Sequence, residues 1–428
     1  MLAICSFVAV LDGFDILAMA FAAPSVANEL QIDISSFGAV FGIGSLGLMV
    51  GSLAFGSLAD WFGRKPMIVS ALLAIGLFSL LTPVTETFTQ LLIVRLLAGI
   101  GLGGLMPNII ALTAEYSPRQ WRATFVTLMF CGVPLGAMLA GLLSAGIIAQ
   151  WGWRAVFYIG GAVAYVSVPI VYVFLPESLS FLAARRATSD RSLAASQRLD
   201  PGHGGWLRKG APGSSEAGQA RLAGLFAKKR AIATLLLWAI FFCNLLIWFF
   251  LTNWLPSILQ RAHFAVESAA LATVVLYAGG LVGGIALGCL VDKRMSYRLL
   301  ASVYVLAAIF VNGIGLAADV HSPLLYVSVF GSGFFVGGSQ HAINAIAANF
   351  YPTEMRSTGI GWSLGVGRIG SIVGPALGGV LIAMNWSAEQ LAGVVGIPAL
   401  VAALAALMIG WSTSAEQGEM MRKSSISN

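Results

Sequence analysis

The sequence has few charged residues and few residues that bind metals or form disulfides. Only 10% of its 428 residues are Asp, Glu, Lys or Arg, and 58% are hydrophobic, whereas a soluble domain has about 25% charged residues. The four cysteines, Cys5, Cys131, Cys243 and Cys289, stand singly in apolar runs without CxxC spacing. This composition excludes a soluble globular domain, a disulfide framework and a cysteine-bound zinc site.

The sequence also lacks the signals of a membrane-embedded enzyme or a nucleic-acid-binding protein. It has no HExxH motif, and its four histidines and four cysteines do not cluster. The formal charge of +6 could indicate nucleic acid, but the basic residues stand in loops between apolar runs. We therefore expect no enzyme, no metal, no cofactor and no nucleic-acid partner.

The chain opens inside its first apolar run, without the basic segment that begins a secretory signal peptide. Asp12 and Asp15 interrupt that run, so we expect a retained helix rather than a cleaved signal. From the missing basic segment we expect either that the first cytoplasmic residues have been lost from the sequence or that its start codon is misassigned.

Apolar runs long enough to cross a membrane, roughly 17–25 residues, occur twelve times. We predict an all-α membrane protein of two six-helix bundles, 1–175 and 231–412, with a cytoplasmic linker at 176–230 and a cytoplasmic tail at 413–428. The 50 glycines suit helices that pack closely in lipid. The predicted spans are 2–27, 36–58, 67–84, 89–114, 123–149, 155–175, 231–252, 268–290, 299–317, 324–350, 358–384 and 390–412.

The basic residues predict the orientation of these spans. Cytoplasmic loops carry an excess of Lys and Arg, and placing both termini in the cytoplasm puts 20 of the 24 there. Only Arg154 and Arg261 fall in outward loops, and Arg95 and Arg368 lie inside helices. The 20 are Arg64, Lys65, Arg119, Arg122, ten residues within 176–230, Lys293, Arg294, Arg298, Arg356, Arg422 and Lys423.

The two bundles are predicted to be repeats, because three motifs recur at nearly one offset. A Gly-x-x-x-Asp motif closes the second and eighth helices, a Gly-Gly pair lies in the fourth and tenth, and a Pro-x-x-x-Arg motif follows both of these. Parallel repeats of this kind have a binding site at their interface. The pairs are Gly56 to Asp60 with Gly288 to Asp292, Gly103 with Gly337, and Pro118 to Arg122 with Pro352 to Arg356.

Two glycine-containing motifs have different meanings. The loop Gly56–Lys65, with Asp60, Gly63 and Arg64, resembles the loop signature of the major facilitator superfamily, in which Asp60 could pair with a cation across the bundle. Residues 99–104 formally match GxGxxG, but they follow no strand and lie inside an apolar helix, so close helix packing is the better interpretation.

The charges inside the predicted helices are the strongest functional signal, because each costs roughly 2.5–3.5 kcal/mol at a helix centre. Asp12 and Asp15 share a helix face near mid-membrane, Arg368 lies at a similar depth, and Arg95 lies nearer the outer end of its helix. We expect the two carboxylates and Arg368 to meet across a central cavity. They could form a structural ion pair, or an aspartate could carry a proton whenever its arginine is engaged elsewhere.

Neutral polar and aromatic residues add candidates that remain open. His341, with Gln340 and Asn344, forms a polar face on the tenth helix, where the histidine either makes a packing hydrogen bond or contacts a ligand. Phe14 and several other aromatic residues could stack on a ring, although tryptophans also concentrate at membrane interfaces. The others are Phe130, Trp238, Trp248, Trp254 and Trp362.

Beyond the superfamily signature, the chain resembles the aromatic acid:proton symporter family, whose first helix carries Asp-Gly-Phe/Tyr-Asp. Two departures are Tyr297, where members can have histidine, and His341, where small residues are common. The matching segments span nearly the whole chain: Leu11 to Asp15, Met106 to Asn108, Ala114 to Tyr116, Leu128 to Gly132, Asn253 to Pro256, Phe350 to Arg356, Gly361 to Trp362 and Gly365 to Arg368.

The resemblance implies a monomeric transporter in the bacterial inner membrane that imports benzoate-like acids with protons as the coupling ion. It places Asp12 and Asp15, and Arg368 and Arg95, at functional positions of the family, where we expect the aspartates to couple protons and the arginines to bind the substrate. His341, Asn344 and Phe14 are further candidate substrate contacts, which we take from their places in the helices and not from the resemblance. Asp292 and Arg356 join Gly56, Asp60, Gly63 and Arg64 in the loop motifs that control opening. The alternatives are a proton-coupled exporter or antiporter, or a transporter of another small organic anion on the same fold.

Overall fold

Every regular element that the computed structural model describes is a helix. The description covers residues 1–118, 121–179, 181–182, 225–226, 230–293, 296–319, 323–351 and 355–426. The helices are α1 Leu2–Glu29, α2 Phe37–Phe62, α3 Arg64–Leu81, α4 Phe88–Tyr116, α5 in two segments (Arg122–Phe130 and Gly132–Trp151), α6 Trp153–Phe174, α7 Arg230–Arg261, α8 Val266–Lys293, α9 Tyr297–Asp319, α10 in three consecutive segments (Leu324–Ser332, the π-helical Gly333–Gly337 and Gly338–Phe350), α11 Arg356–Ala383 and α12 Ala388–Ile426.

Within these ranges, eleven helices are long and apolar enough to cross a membrane. The predicted span at 324–350 corresponds to the segmented α10, which its π-helical turn interrupts. Two helices are longer than expected: α7 continues to Arg261, and α12 runs to Ile426 through the expected tail. Most of the linker, 183–224 and 227–229, lies outside the described residues.

The two bundles are repeats, as predicted, and glycine contacts between helices show the correspondence. Gly51 of α2 lies so close to the Ile100 carbonyl of α4 that a Cβ would overlap it, and Gly283 of α8 meets the Phe334 carbonyl of α10 in the same way. The length of chain between the two glycines is nearly the same as that between the two carbonyls. Three more pairs of contacts between a glycine and a carbonyl oxygen correspond in the same way. They are Gly47–Leu96 with Gly279–Phe330, Gly99–Gly44 with Gly333–Leu276, and Gly136–Val10 with Gly370–Phe242.

Matching helix ends extend the repeat to the loops. Gln31, after α1, and His263, after α7, are separated by the same length of chain as Gly51 and Gly283. Both have positive φ, at 51° and 62°. In each case the next amide donates back to a carbonyl five residues earlier, Ile32 to Ala27 and Phe264 to Leu259, both at 3.0 Å. This is the Schellman arrangement, which satisfies carbonyls at a helix terminus.

The halves touch at one end of the bundle, which we call the outer end because the predicted orientation places it outside the cell. Gly38 of α2 faces Gly379 of α11 so closely that a Cβ on either would lie 2.9 Å from the other's Cα. Phe41 of α2 meets Trp254 of α7 edge to face, with ring centroids 5.4 Å apart. The Trp254 indole donates to the Pro375 carbonyl of α11 at 2.9 Å, so both halves share this contact.

Towards the inner end, glycines on the same elements face open space. A Cβ on Gly361 or Gly365 of α11 would meet nothing within 4 Å, and the same holds for Gly56 of α2 and Gly288 of α8. Gly365 lies on the face of α11 that carries residues 372, 376 and 379, which contact α2 farther out. The halves are therefore packed at the outer end and separated along this face at the inner end.

Candidate functional site

The packing of α1 against α5 turns the two aspartates of α1 away from α5. A Cβ on Gly13, between them, would overlap the Val133 carbonyl of α5, and Gly136 of α5 meets the Val10 carbonyl in the same manner. Asp12 and Asp15 stand roughly 100–160° around the helix from Gly13. The glycine of the Asp-Gly-Phe-Asp motif thus allows the close packing that orients the carboxylates.

Asp15 lies in a charged cluster within the N-terminal half. Its carboxylate is 3.7 Å from Nη1 of Arg95 in α4, and Ser79 of α3 donates a hydrogen bond to it. Arg95 also donates to the Thr82 hydroxyl just beyond α3, and its guanidinium carbon lies 5.0 Å from the Phe157 ring centroid. Both Asp15 and Arg95 are only 6% exposed, so three helices and an aromatic face enclose the pair.

This pair borders a small cavity between the halves. Asp15, Arg95 and Ser45 line it from the N-terminal half, and Phe249 and Asn253 of α7 line it from the other. Its volume is about 50 Å³, below the roughly 300–1,000 Å³ of pockets that hold drug-sized ligands. The outer-end contacts leave no room there for an aromatic acid.

Asp12 and Arg368 face one another across the interface without forming an ion pair. Arg368 lies on the α11 face that carries Ile372 and Gly379, four and eleven residues farther on, so it points towards the N-terminal half. The two charges lie close enough to attract each other, yet no cation of the described chain is within 4 Å of Asp12. One buried Asp12 oxygen has no hydrogen-bond partner there, so the expected Asp12–Arg368 contact is open in this conformation.

The C-terminal half holds a neutral polar cluster, whose residue Asn244 corresponds in the repeat to Asp12. The hydroxyls of Tyr304 in α9 and Ser339 in α10 donate to Asn244 Oδ1 of α7, at 3.1 and 2.7 Å. Asn244 Nδ2 donates to Gln340 Oε1 at 2.9 Å, and Gln340 Nε2 donates to Asn344 Oδ1 at 3.3 Å. Two predicted neighbours, Gln340 and Asn344, are thus one hydrogen-bonded unit.

The loop motif Gly56–Lys65 makes its contacts within the N-terminal half. Arg64 pairs with Glu115 at the end of α4, and the backbone amides of Arg64 and Lys65 donate to Glu177 Oε1 at 2.8 and 3.2 Å. Gly63 has φ 95°, and a side chain there would collide with Glu177. This arrangement holds the end of α2, the start of α3 and the segment after α6 together.

The predicted cross-bundle pairing of Asp60 is not present in this conformation. Its carboxylate is exposed, and no ion-pair partner lies near it in the described part of the chain. The side chains of Asp292 and Arg356, the matching positions of the second half, lie outside the described residues.

Comparison with known proteins identifies the architecture. The family model for the Major Facilitator Superfamily matches residues 3–330 and 305–420. The chain belongs to the Major Facilitator Superfamily. It is 36% identical to a gallate transporter of Pseudomonas putida, covering 96% of this chain and 91% of that protein, and 34% identical to a 4-hydroxybenzoate transporter of Pseudomonas aeruginosa, covering 97% and 93%. The predicted resemblance to aromatic acid transporters is therefore confirmed.

A solved structure extends this likeness to the fold of the facilitator. The crystal structure of a D-xylose-proton symporter aligns with a TM-score of 0.72, covering 95% of this chain and 96% of that one at 15% identity. The facilitator is thus a multi-pass membrane transporter and not an enzyme, as the sequence predicted.

Two of the predicted substrate-contact residues, Phe14 and His341, have close neighbours within their own halves. The Phe14 ring packs against Gly160 of α6, inside the N-terminal bundle, and His341 packs over Gly284 of α8 with an exposed side chain.

Gly361 to Gly365 has the GxSxG spacing of serine hydrolases, but it lies inside α11, where the Ser363 hydroxyl donates to the Gly359 carbonyl at 2.8 Å. In the described ranges, no group of three His, Cys, Asp or Glu side chains could hold a metal.

The sequence alone did not reveal Ser79, Thr82, Asn244 and Tyr304 as members of these clusters. Serine and threonine are common in membrane helices and usually bond to their own backbone, so nothing in the local sequence distinguishes the two that bind Asp15 and Arg95. Asn244 had a usable signal, because it is a carboxamide in an apolar run and stands at the position of the second half that corresponds to Asp12.

Proposed function

We propose that this facilitator imports aromatic carboxylates together with protons by alternating access. The observation that carries the proposal is the mid-membrane set at the interface of the halves, in which Asp12 and Asp15 face Arg368 and Arg95. The aromatic acids named for the relatives support the substrate class. The protein would act as a monomer in the bacterial inner membrane, with twelve spans, cytoplasmic termini and no cofactor besides the coupling proton.

Arg368 is the proposed partner of the substrate carboxylate. Its guanidinium offers two parallel donors, which match the two oxygens of a carboxylate, and no ion pair within 4 Å engages it in the described residues. Asp12, the carboxylate that Arg368 faces, would compete with the substrate for this cation.

That competition supplies the coupling. When a proton neutralises Asp12, Arg368 no longer has a competing carboxylate and is available to the substrate. The cluster then keeps the net charge that it had with Asp12 ionised and no substrate. One proton with one monoanion moves no net charge, so the pH gradient alone would drive uptake. A second proton would add about 2.3 kcal/mol per 100 mV.

The Asp15–Arg95 pair is proposed as a second place, besides Asp12 and Arg368, where protonation of an aspartate makes an arginine available to the substrate. It lies beside the outer contact, where α2 and α7 close over it. Protonation of Asp15 would release Arg95 from its partner, and Arg95 would then be available to a carboxylate entering from outside. His341 and Asn344 are proposed to line the inner part of the route.

Proteoliposomes with an imposed pH gradient test this function. With acid outside, they should accumulate labelled 4-hydroxybenzoate, and a protonophore should collapse the accumulation. Accumulation driven by acid inside would indicate an antiporter instead, and no gradient-dependent flux of any aromatic acid would refute the proposal.

Substitution of Arg368 tests the substrate contact. Arg368→Lys should weaken binding roughly tenfold to a hundredfold, because a charge-assisted hydrogen bond is worth about 1.5–3 kcal/mol. Arg261→Lys is the matched control, since Arg261 lies at the outer end of the same half and contacts the Ile382 carbonyl. Equal affinities in the two variants would move the carboxylate site to Arg95.

A further inference from the structure

The polar clusters of the two halves occupy equivalent places in the repeat. Asn244 follows Asp12 by the same length of chain that separates the matching ends of α1 and α7, Gln31 and His263. In each half, the first helix is tied to the third by a hydroxyl, from Ser79 to Asp15 and from Tyr304 to Asn244. One cluster is built from charges and the other only from amides and hydroxyls, so the two halves have different chemical capacities.

The hydrogen bonds of the neutral cluster run in one direction. Two hydroxyls donate to the Asn244 oxygen, and each amide then donates to the oxygen of the next, from Asn244 to Gln340 to Asn344. The chain ends on the Asn344 NH₂, which has no acceptor in the described part of the protein. Polar groups in a membrane protein are hydrogen-bonded when they can be, so this half-buried end offers donors to an oxygen that the protein itself does not supply.

The neutral cluster lies beside the carboxylate site. Gly367, next to Arg368, packs against Phe241 and Leu245 of α7, the turn that carries Asn244. One turn farther along α7, Trp248 meets Tyr277 of α8 edge to face at 5.4 Å, and Tyr277 lies within electrostatic reach of Asp12. The turn of α7 that carries Asn244 therefore packs against the turn of α11 that carries Arg368.

The π-helical turn of α10 immediately precedes this polar face. Gly333–Gly337 is π-helical, whereas the equivalent stretch of α4 is α-helical. Such turns change the direction in which the following side chains point and are common at functional sites. Here they precede Ser339, Gln340 and Asn344.

We propose that the chain Asn244–Gln340–Asn344 forms a subsite that donates a hydrogen bond to a ring hydroxyl of the aromatic acid held by Arg368. It rests on the proposed function and makes it more specific: the preferred substrates are hydroxylated benzoates. An unsubstituted ring would leave the Asn344 donors without a partner.

Binding to the purified protein in lipid nanodiscs tests the subsite. Benzoate and 4-hydroxybenzoate are compared, with 3-hydroxybenzoate to cover the other ring position. The wild-type protein should favour a hydroxylated acid about threefold to tenfold, the range of one neutral hydrogen bond. Asn344→Leu and Gln340→Met should lose that preference, whereas Asn349→Leu, at an exposed position of the same helix, should keep it.

The ratio of affinities in each variant decides the result. A preference that is unchanged in Asn344→Leu and Gln340→Met overturns the subsite, and so does equal binding of all three acids by the wild-type protein. A variant that loses all three acids in proportion also counts against it, because its preference is the same. If the wild-type protein binds none of them, the proposed function fails instead.

Discussion

Asp15 and Arg95 are a buried ion pair whose partners come from different helices. Each is nearly inaccessible to solvent, and the arginine Nε has no hydrogen-bond partner among the described residues. In such a pair, removal of one partner leaves an uncompensated charge, which typically costs about 3–5 kcal/mol. The pair therefore contributes to folding as well as to transport, and the two roles need separate measurements.

A double-mutant cycle separates them. Arg95→Ala should sharply lower the thermal stability of the detergent-solubilised protein, because Asp15 remains charged or must be neutralised. Adding Asp15→Asn should restore part of that loss, since the orphaned charge disappears. Additive losses in the cycle would mean that the two side chains do not interact.

Uptake measurements test whether Asp12 and Asp15 carry the coupling proton, separately from any contribution to folding. Asp12→Asn and Asp15→Asn are nearly isosteric but cannot titrate, so each should abolish accumulation driven by a pH gradient while leaving exchange of substrate across the membrane. Asp33→Asn, in the exposed outer loop, is the control and should accumulate normally. Normal accumulation in both test variants would place the proton site elsewhere.

At the scale of the element, glycine contacts decide how the helices of one half pack. Gly283 and Gly288 lie on the same helix, α8, but only Gly283 has a carbonyl oxygen where its Cβ would stand. Gly283→Ala should therefore lower the stability of the protein by about 1–3 kcal/mol through overpacking, whereas Gly288→Ala should not. The yield of monodisperse protein after mild heating measures the difference, and equal yields would contradict the packing argument.

The helices and their repeat were predictable because both depend on local composition and spacing. The positions of Asp12, Asp15 and Arg368 within their helices followed from counting residues at about 1.5 Å each. The end of α7 was placed too early, at 252, because polar Asn253 and Pro256 interrupt the apolar pattern while the helix continues to Arg261.

The partners of the intramembrane charges could not be predicted in the same way. The sequence suggested that the aspartates would meet Arg368 across the cavity, but Asp15 pairs with Arg95 inside its own half. That pairing depends on how α1 rotates against α5, which the contact at Gly13 determines. It is a property of packing between distant segments and has no local signature.

At the scale of the whole molecule, the contact of Gly38 with Gly379 holds the outer end closed. Gly379→Leu should shift the population towards an outward-open form, roughly fivefold to a hundredfold for an overpacking cost of about 1–3 kcal/mol. A cysteine introduced at Ser45, which lines the small cavity, should then react faster with a membrane-impermeant maleimide from outside. Gly146→Leu, at a position with open space, should leave the rate unchanged, and equal rates in the two variants would contradict the closure.

The position of Arg368 along α11 has a mechanical consequence. The helix contacts the other half from residue 372 outward, whereas open space adjoins it at residues 361 and 365. Arg368 therefore lies between the packed outer part of α11 and its unpacked inner part. Gly379 lies about 16 Å along the helix from Arg368 and Gly361 about 10 Å, at about 1.5 Å per residue. A tilt of about ten degrees would swing Gly379 by roughly 3 Å and leave Arg368 almost in place. A substrate bound to Arg368 would thus move little while the two ends of α11 change their distance from the other half.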